Sequence, residues 1–170
     1  GTNDNPTGSK VIRIDINGAG FLMPDSVVLR ATVRNNAALA TNNLVPLTPD
    51  LACMISEIKV TMGGTEIERI TSYNRIHEML MRGTSVAKRD NLAAMGFGKG
   101  TDGAGAPIAG NTALKVLGRP LCRICNTHNY IPLCLLSTGV QLAVTLGDSP
   151  AAAAVPAGAA ATPKNSHLRP

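Results

Sequence analysis

The residues of this chain best suited to chemistry are its four cysteines and three histidines, and three of the cysteines fall close together. Cys122-x2-Cys125-x2-His128, with Cys134 a few residues on, offers thiolates and an imidazole, the ligand types that zinc takes. The spacing is not that of a finger or a knuckle. The first pair falls on a strand-like segment and Cys134 in an apolar run, so buried, reduced thiols are the default reading. Gly98-x-Gly100-x-x-Gly103 spells a dinucleotide-binding fingerprint. That motif, however, follows a strand and opens a helix within a βαβ unit, and here it follows a helix inside a glycine-rich stretch. His77 and Glu78 are neighbours on a short helix with no partner arrangement in the sequence, which gives His77 a surface or capping role. No G-x-S-x-G, H-E-x-x-H or P-loop motif occurs, and the 11 carboxylates scatter over strand faces and turns. No catalytic, cofactor-binding or metal-ligating residue is assigned, and the chain reads as a non-enzyme.

Composition points the same way. A chain of 170 residues, 44% hydrophobic and 16% charged, can bury a real core and is not a disordered tail. Aromatic residues make up 2% and tryptophan is absent, so the core is aliphatic. This scarcity disfavours carbohydrate platforms and single-stranded nucleic-acid readers, which stack their ligands on aromatic faces. The formal charge is +5, but the bases are spread along the chain, and Arg82, Lys88 and Arg89 are the nearest thing to a cluster. A solvated surface accounts for them; weak contact with nucleic acid or with an acidic neighbour is the functional alternative. No apolar stretch is long enough for a transmembrane helix, no signal peptide opens the chain, and no N-x-S/T sequon occurs. Reduced thiols in a cytosolic or nuclear setting follow. The start at Gly1 and the end at Pro170, after a low-complexity run, suggest a processed product or a piece of something longer.

The elements that must position these residues are mostly strands. Residues 10–16 alternate with Ile12, Ile14 and Ile16 on one face, and residues 26–34 with Val27, Leu29, Ala31 and Val33 inward. Residues 52–62 place Ile58, Val60 and Met62 on one side, and Gly63-Gly64 then turns the chain into a return strand over 65–70. Residues 114–117, 121–124 and 130–136 are further candidates, the last limited by Pro132 to an edge or a bulge. Residues 140–146 alternate throughout, with Val140, Leu142, Val144 and Leu146 inward. One helix starts at a Thr71 or Ser72 cap and ends near Gly83, with Tyr73, Ile76, Met79 and Leu80 as its apolar face. Residues 83–112 have no period and read as a long glycine-rich loop. The expected fold is all-β: a jelly-roll sandwich of about eight strands with one short helix. It spans 10–148, with an arm at 1–9 and an Ala/Pro-rich linker or tail at 149–170.

The block LTPDLACMISEIKVTMGGTEIERITSYNRIHEMLMR resembles the first jelly roll of double jelly-roll major capsid proteins of double-stranded DNA viruses, in particular the virophage and Polinton-like lineage. The carriers are the Gly63-Gly64 turn, the short strand Ile67 to Ile70, and the helix from Tyr73-Asn74 to Leu80. A second block resembles the end of the same domain: Tyr130 before Ile131-Pro132-Leu133, then the strand Val140 to Leu146 leading into an Ala-rich join. The resemblance covers roughly residues 10–150, although aromatics are scarcer here than in that family. It implies a capsid protein that self-assembles, with other capsid proteins, into an icosahedral shell through trimeric capsomers. It also implies location in the virion, with assembly in the host cytoplasm or nucleus. The chain has room for one jelly roll, so the N-terminal half of a longer major capsid protein and a pentameric single jelly-roll penton both stay open. The basic side chains would make weak, non-specific contact with packaged DNA, and the glycine-rich loop and the tail would drape over neighbouring subunits. The rival classes are a non-viral β-sandwich binding or adhesion module and a zinc-dependent nucleic-acid binder.

Overall fold

Two glycines set the first hairpin. Gly63 and Gly64 have φ of 58° and 80°, the double left-handed conformation of a two-residue turn whose twist matches its strands. The computed structural model describes residues 11–36, 38, 43–100, 103–136 and 138–147, with the backbone of 154–157. The strands, in chain order, are β1 (Val11–Ile16), β2 (Phe21–Leu22), β3 (Leu29–Arg34), β4 (Asn43–Pro46), β5 (Ile55–Met62), β6 (Thr65–Thr71), β7 (Ala113–Gly118), β8 (Ile131–Pro132), β9 (Val140–Leu146) and β10 (Ala154–Ala157). Two helices, α1 (Tyr73–Arg82) and α2 (Val86–Met95), lie between β6 and β7. The expected arm at 1–9 lies outside the described residues, as does the expected tail apart from β10.

The pairing is nested. β1 pairs with β9, β2 with β8 and β3 with β7, all antiparallel, and the β5–β6 hairpin sits between the two halves in sequence. This is a ribbon folded about its middle. It is rolled because β5 also lies against β9, giving a four-stranded sheet in the order β1-β9-β5-β6. An antiparallel ribbon rolled into a sandwich is a jelly roll. β10 adds an antiparallel pair with β4.

Register explains the core. Ile12, Val144, Ile58 and Ile70 stand in one cross-strand row, Ile14, Leu142 and Val60 in the next, and Ile16, Val140 and Met62 in a third. Alternation puts all of them on the inner face, where Ile58, Val60, Val140, Leu142 and Val144 are buried. Tyr73, Cys122, Cys125 and Leu133 close that core from the other side. A second, smaller cluster joins Leu51, Cys53, Phe97, Ile108 and Val116.

Several expectations need correction. A second helix, α2, occupies part of the expected loop. Its stretch carries only a weak apolar stripe, with Ala93 buried, so no period marked it. The segments 121–124 and 130–136 are mostly not strand: tight helical turns take Arg123–Cys125 and Leu133–Leu135, leaving the two residues of β8. The glycine-rich segment packs on its own chain rather than standing free. Leu44 bridges Ile108 and Lys99 bridges Gly105, while Phe97 and Ile108 are buried.

Candidate functional site

The amphipathic reading of α1 holds at Tyr73 and fails at its other apolar positions. Tyr73 and His77, one turn apart, face inward, whereas Ile76, Met79 and Leu80 are 42%, 73% and 55% exposed. The inward residues are held by polar contacts that a hydrophobic pattern cannot register. The Tyr73 hydroxyl accepts a hydrogen bond from the Leu121 N–H at 2.7 Å. One oxygen of buried Asp50 accepts from the Ala52 N–H at 3.0 Å, capping the helical turn Leu51–Met54. Its other oxygen lies 3.6 Å from His77 Nε2. His77 is therefore a buried group, not the surface or capping residue that the sequence suggested. Burial, which disfavours the imidazolium, pulls its pKa below the ordinary histidine value, and the Asp50 charge opposes that only in part.

Around this pair, α1, α2 and the segment 47–50 enclose a cleft of about 440 Å³. Two of its lining cations are paired, Arg82 to Glu78 at 2.6 Å and Lys99 to Asp90 at 3.2 Å, and Arg89 lines it as well. Cys53 lies nearby, but burial pushes its thiol up to about 11, the wrong direction for a nucleophile. His77 thus packs beside Asp50 at the turn preceding β5, and among the described residues of the cleft no further group completes a catalytic arrangement with the pair.

The cysteine and histidine set does not converge. Cys122 and Cys125 are buried together, but Cys134 is exposed, which corrects its default placement in the interior. The His128 side chain is 95% exposed, with Asp25 4.0 Å away. Among the described residues no group of three or more His, Cys, Asp or Glu side chains could hold a metal ion.

The glycine fingerprint also has a backbone explanation. Gly98 and Gly103 adopt left-handed φ of 82° and 80°. A Cβ at Gly100 would meet the Gly105 carbonyl oxygen at 2.3 Å. The glycines shape a tight bridged turn, and no β-strand-to-helix phosphate cradle is formed.

What the structure exposes instead is apolar. Phe21 of β2 and Met23 just after it are 68% and 48% exposed, while Leu22 between them is half-buried. β2 pairs with β8 in the register Phe21↔Pro132 and Leu22↔Ile131. Tyr130, just before β8, is 64% exposed, and Leu135 beyond β8 is 79% exposed. The chain has only two Phe and two Tyr. Tyr73 and Phe97 serve the two cores, and Phe21 and Tyr130 face solvent. This outer face and that of α1 were not legible as surfaces. In the sequence an outward Ile or Phe looks the same as an inward one.

The fold places the chain among antiparallel jelly-roll sandwiches. No protein-family model matches it, and no curated protein does. Among solved structures it is similar to a quasi-atomic model of the PBCV-1 virus capsid, with a TM-score of 0.45 and 16% identity. That match covers 82% of this chain and 35% of the other, so the chain spans about a third of its length.

Proposed function

We propose that this chain is a structural protein of a viral capsid, the N-terminal jelly roll of a major capsid protein of the double jelly-roll kind, and that its function is self-assembly. The observation that carries the reading is the placement of the scarce aromatics. A chain with four of them leaves Phe21 and Tyr130 exposed at and beside the paired strands β2 and β8, with Met23 and Leu135 exposed just after those strands in sequence, and presents Ile76, Met79 and Leu80 outward from α1. Contiguous exposed apolar side chains mark interaction surfaces, and aromatic and Met side chains are enriched in the cores of protein interfaces. The rolled antiparallel ribbon and the resemblance of residues 10–150 to capsid jelly rolls support the same reading. Symmetric repetition of such faces closes a shell.

Weak contact with packaged DNA belongs to this reading. On the outer face of the four-stranded sheet Arg13, Lys59 and Arg69 share one cross-strand row through Ala143. Lys59 pairs with Glu66 at 2.6 Å and Arg69 with Glu57 at 3.0 Å. Much of that charge is therefore neutralised, and the contact is non-specific.

Native mass spectrometry of the purified protein, with its intact chain mass, tests the proposal. Trimers or shells of a chain about twice this length are the expected result. Pentamers of a chain of this length would replace it with a penton. A monomer that stays monomeric at high concentration would overturn the capsid reading in favour of a binding module.

A further inference from the structure

The motif Cys122-Arg123-Ile124-Cys125 has a geometry that its failure as a metal site leaves unexplained. Arg123–Cys125 form a single tight helical turn with Cys122 at its head, closed by a hydrogen bond from the Cys125 N–H to the Cys122 carbonyl at 3.0 Å. This turn brings the two side chains to the same side. Both side chains are buried in the main core. Two cysteines at the two ends of a turn of this kind need little backbone movement to bring their sulfurs to bonding distance. Their mutual interaction draws the Cys122 thiol below the ordinary cysteine range and raises that of Cys125.

The turn is also a junction. The residue before it, Leu121, donates its N–H to the Tyr73 hydroxyl of α1 at 2.7 Å. Within it, the Arg123 N–H donates to Glu68 of β6 at 2.8 Å. The Asn126 side chain closes the segment by donating to the carbonyls of Pro120 and Cys122 at 3.2 and 2.9 Å.

We propose that Cys122 and Cys125 are a dithiol–disulfide couple, oxidised by a peroxide, and that the bridge covalently locks the turn through which the 119–126 segment hydrogen-bonds to α1 and β6. The Cys122 thiolate attacks one peroxide oxygen. The O–O bond breaks, and hydroxide leaves and takes up a proton as water. The Cys122 sulfur is now a sulfenic acid. The Cys125 sulfur, losing its proton, attacks it; the S–S bond forms, the S–O bond breaks, and a second water leaves. Two thiols lose two electrons and two protons, and one peroxide becomes two waters. Cys53, buried in the other core cluster with its thiol pushed up to about 11, is the internal control that stays reduced.

The test treats the native protein with hydrogen peroxide, alkylates it under denaturing conditions, and maps it with trypsin followed by chymotrypsin. Trypsin cuts after Arg123, inside the motif, and chymotrypsin after Tyr130, which separates Cys125 from Cys134. The expected product is the Cys122 peptide linked to the 124–130 peptide, lighter by two hydrogens and released by dithiothreitol, with Cys53 alkylated. The oxidised protein melts at a higher temperature than the reduced one. Cys125→Ser leaves a Cys122 sulfenic acid that dimedone labels. A map in which Cys122 and Cys125 remain alkylated while Cys134 oxidises overturns the proposal, as does Cys122 linked to Cys134 or Cys53.

Discussion

Replacing Phe21 with serine separates the stability of the fold from the strength of assembly. A Phe side chain presents about 200 Å² when fully exposed, and Phe21 is 68% exposed. About 65 Å² is therefore already buried in the fold, and about 135 Å² is free to be covered by a neighbour. At about 25 cal/mol per Å², the substitution costs the isolated fold about 1.5 kcal/mol and an interface over Phe21 about 3 kcal/mol. The second figure is about a hundredfold in association constant. The first shifts the melting temperature by several degrees at most. Sedimentation velocity across a concentration series reads the association, and calorimetry on the same samples reads the fold. Assembly by the variant at the same concentration as the parent would refute the assignment of this face. A collapse of the melting transition would show that the exposed area is not what Phe21 contributes.

Three further outcomes are expected. Leu142→Ala, in the strand flanked by β1 and β5, should cost about 2–5 kcal/mol because the side chain is 1% exposed and its neighbours in the row, Ile14 and Val60, are held by their own strands; urea denaturation measures it. Tyr73→Phe strands the Leu121 N–H and should cost about 1–3 kcal/mol, read in the same assay. The pKa of His77 is lowered in the fold by burial, so the unfolded chain binds the proton more readily. Stability should be unpenalised above pH ~6.5 and should fall as pH drops from there toward the depressed folded value. A His77→Gln variant should lose that component of the pH profile, and an unchanged profile would show that Asp50 shelters the charged form.

The inner face of the main sheet was legible because a single rule, alternation, governs it. Ile12, Ile14 and Ile16 in β1, and Val140, Leu142 and Val144 in β9, face inward as their spacing says. Gly63-Gly64 announced its turn for an equally local reason. In α1 Tyr73 faces inward as read, but Ile76, Met79 and Leu80 do not, because the inward face takes the polar His77 and is set by partners far off in the sequence. Asp50 lies 27 positions before His77, and Leu121 lies 48 after Tyr73. α2 left no stripe to find. The pairings of β2 with β8 and of β4 with β10 involve strands of two to four residues, shorter than any periodic signal. Cys122 and Cys125 were visible as a spacing, but the turn between them was hidden by an apparently strand-like run. The apolar outer faces followed only from knowing which way each strand and helix turns.

The nested pairing also sets an order of events during synthesis. β9 lies between β1 and β5 in the main sheet, yet it is made more than a hundred residues after β1 and almost eighty after β5. Until it leaves the ribosome, β1 has no partner, and the β5–β6 hairpin, the main local pairing available, offers an open edge. Translation at about 5–20 residues per second leaves β1 and the free edge of β5 unpaired for several seconds. Closure then depends on contacts between the two ends of the ribbon, the slow, non-local kind. A nascent chain of this design invites a chaperone, or the matching edge of another copy, before it has a fold of its own.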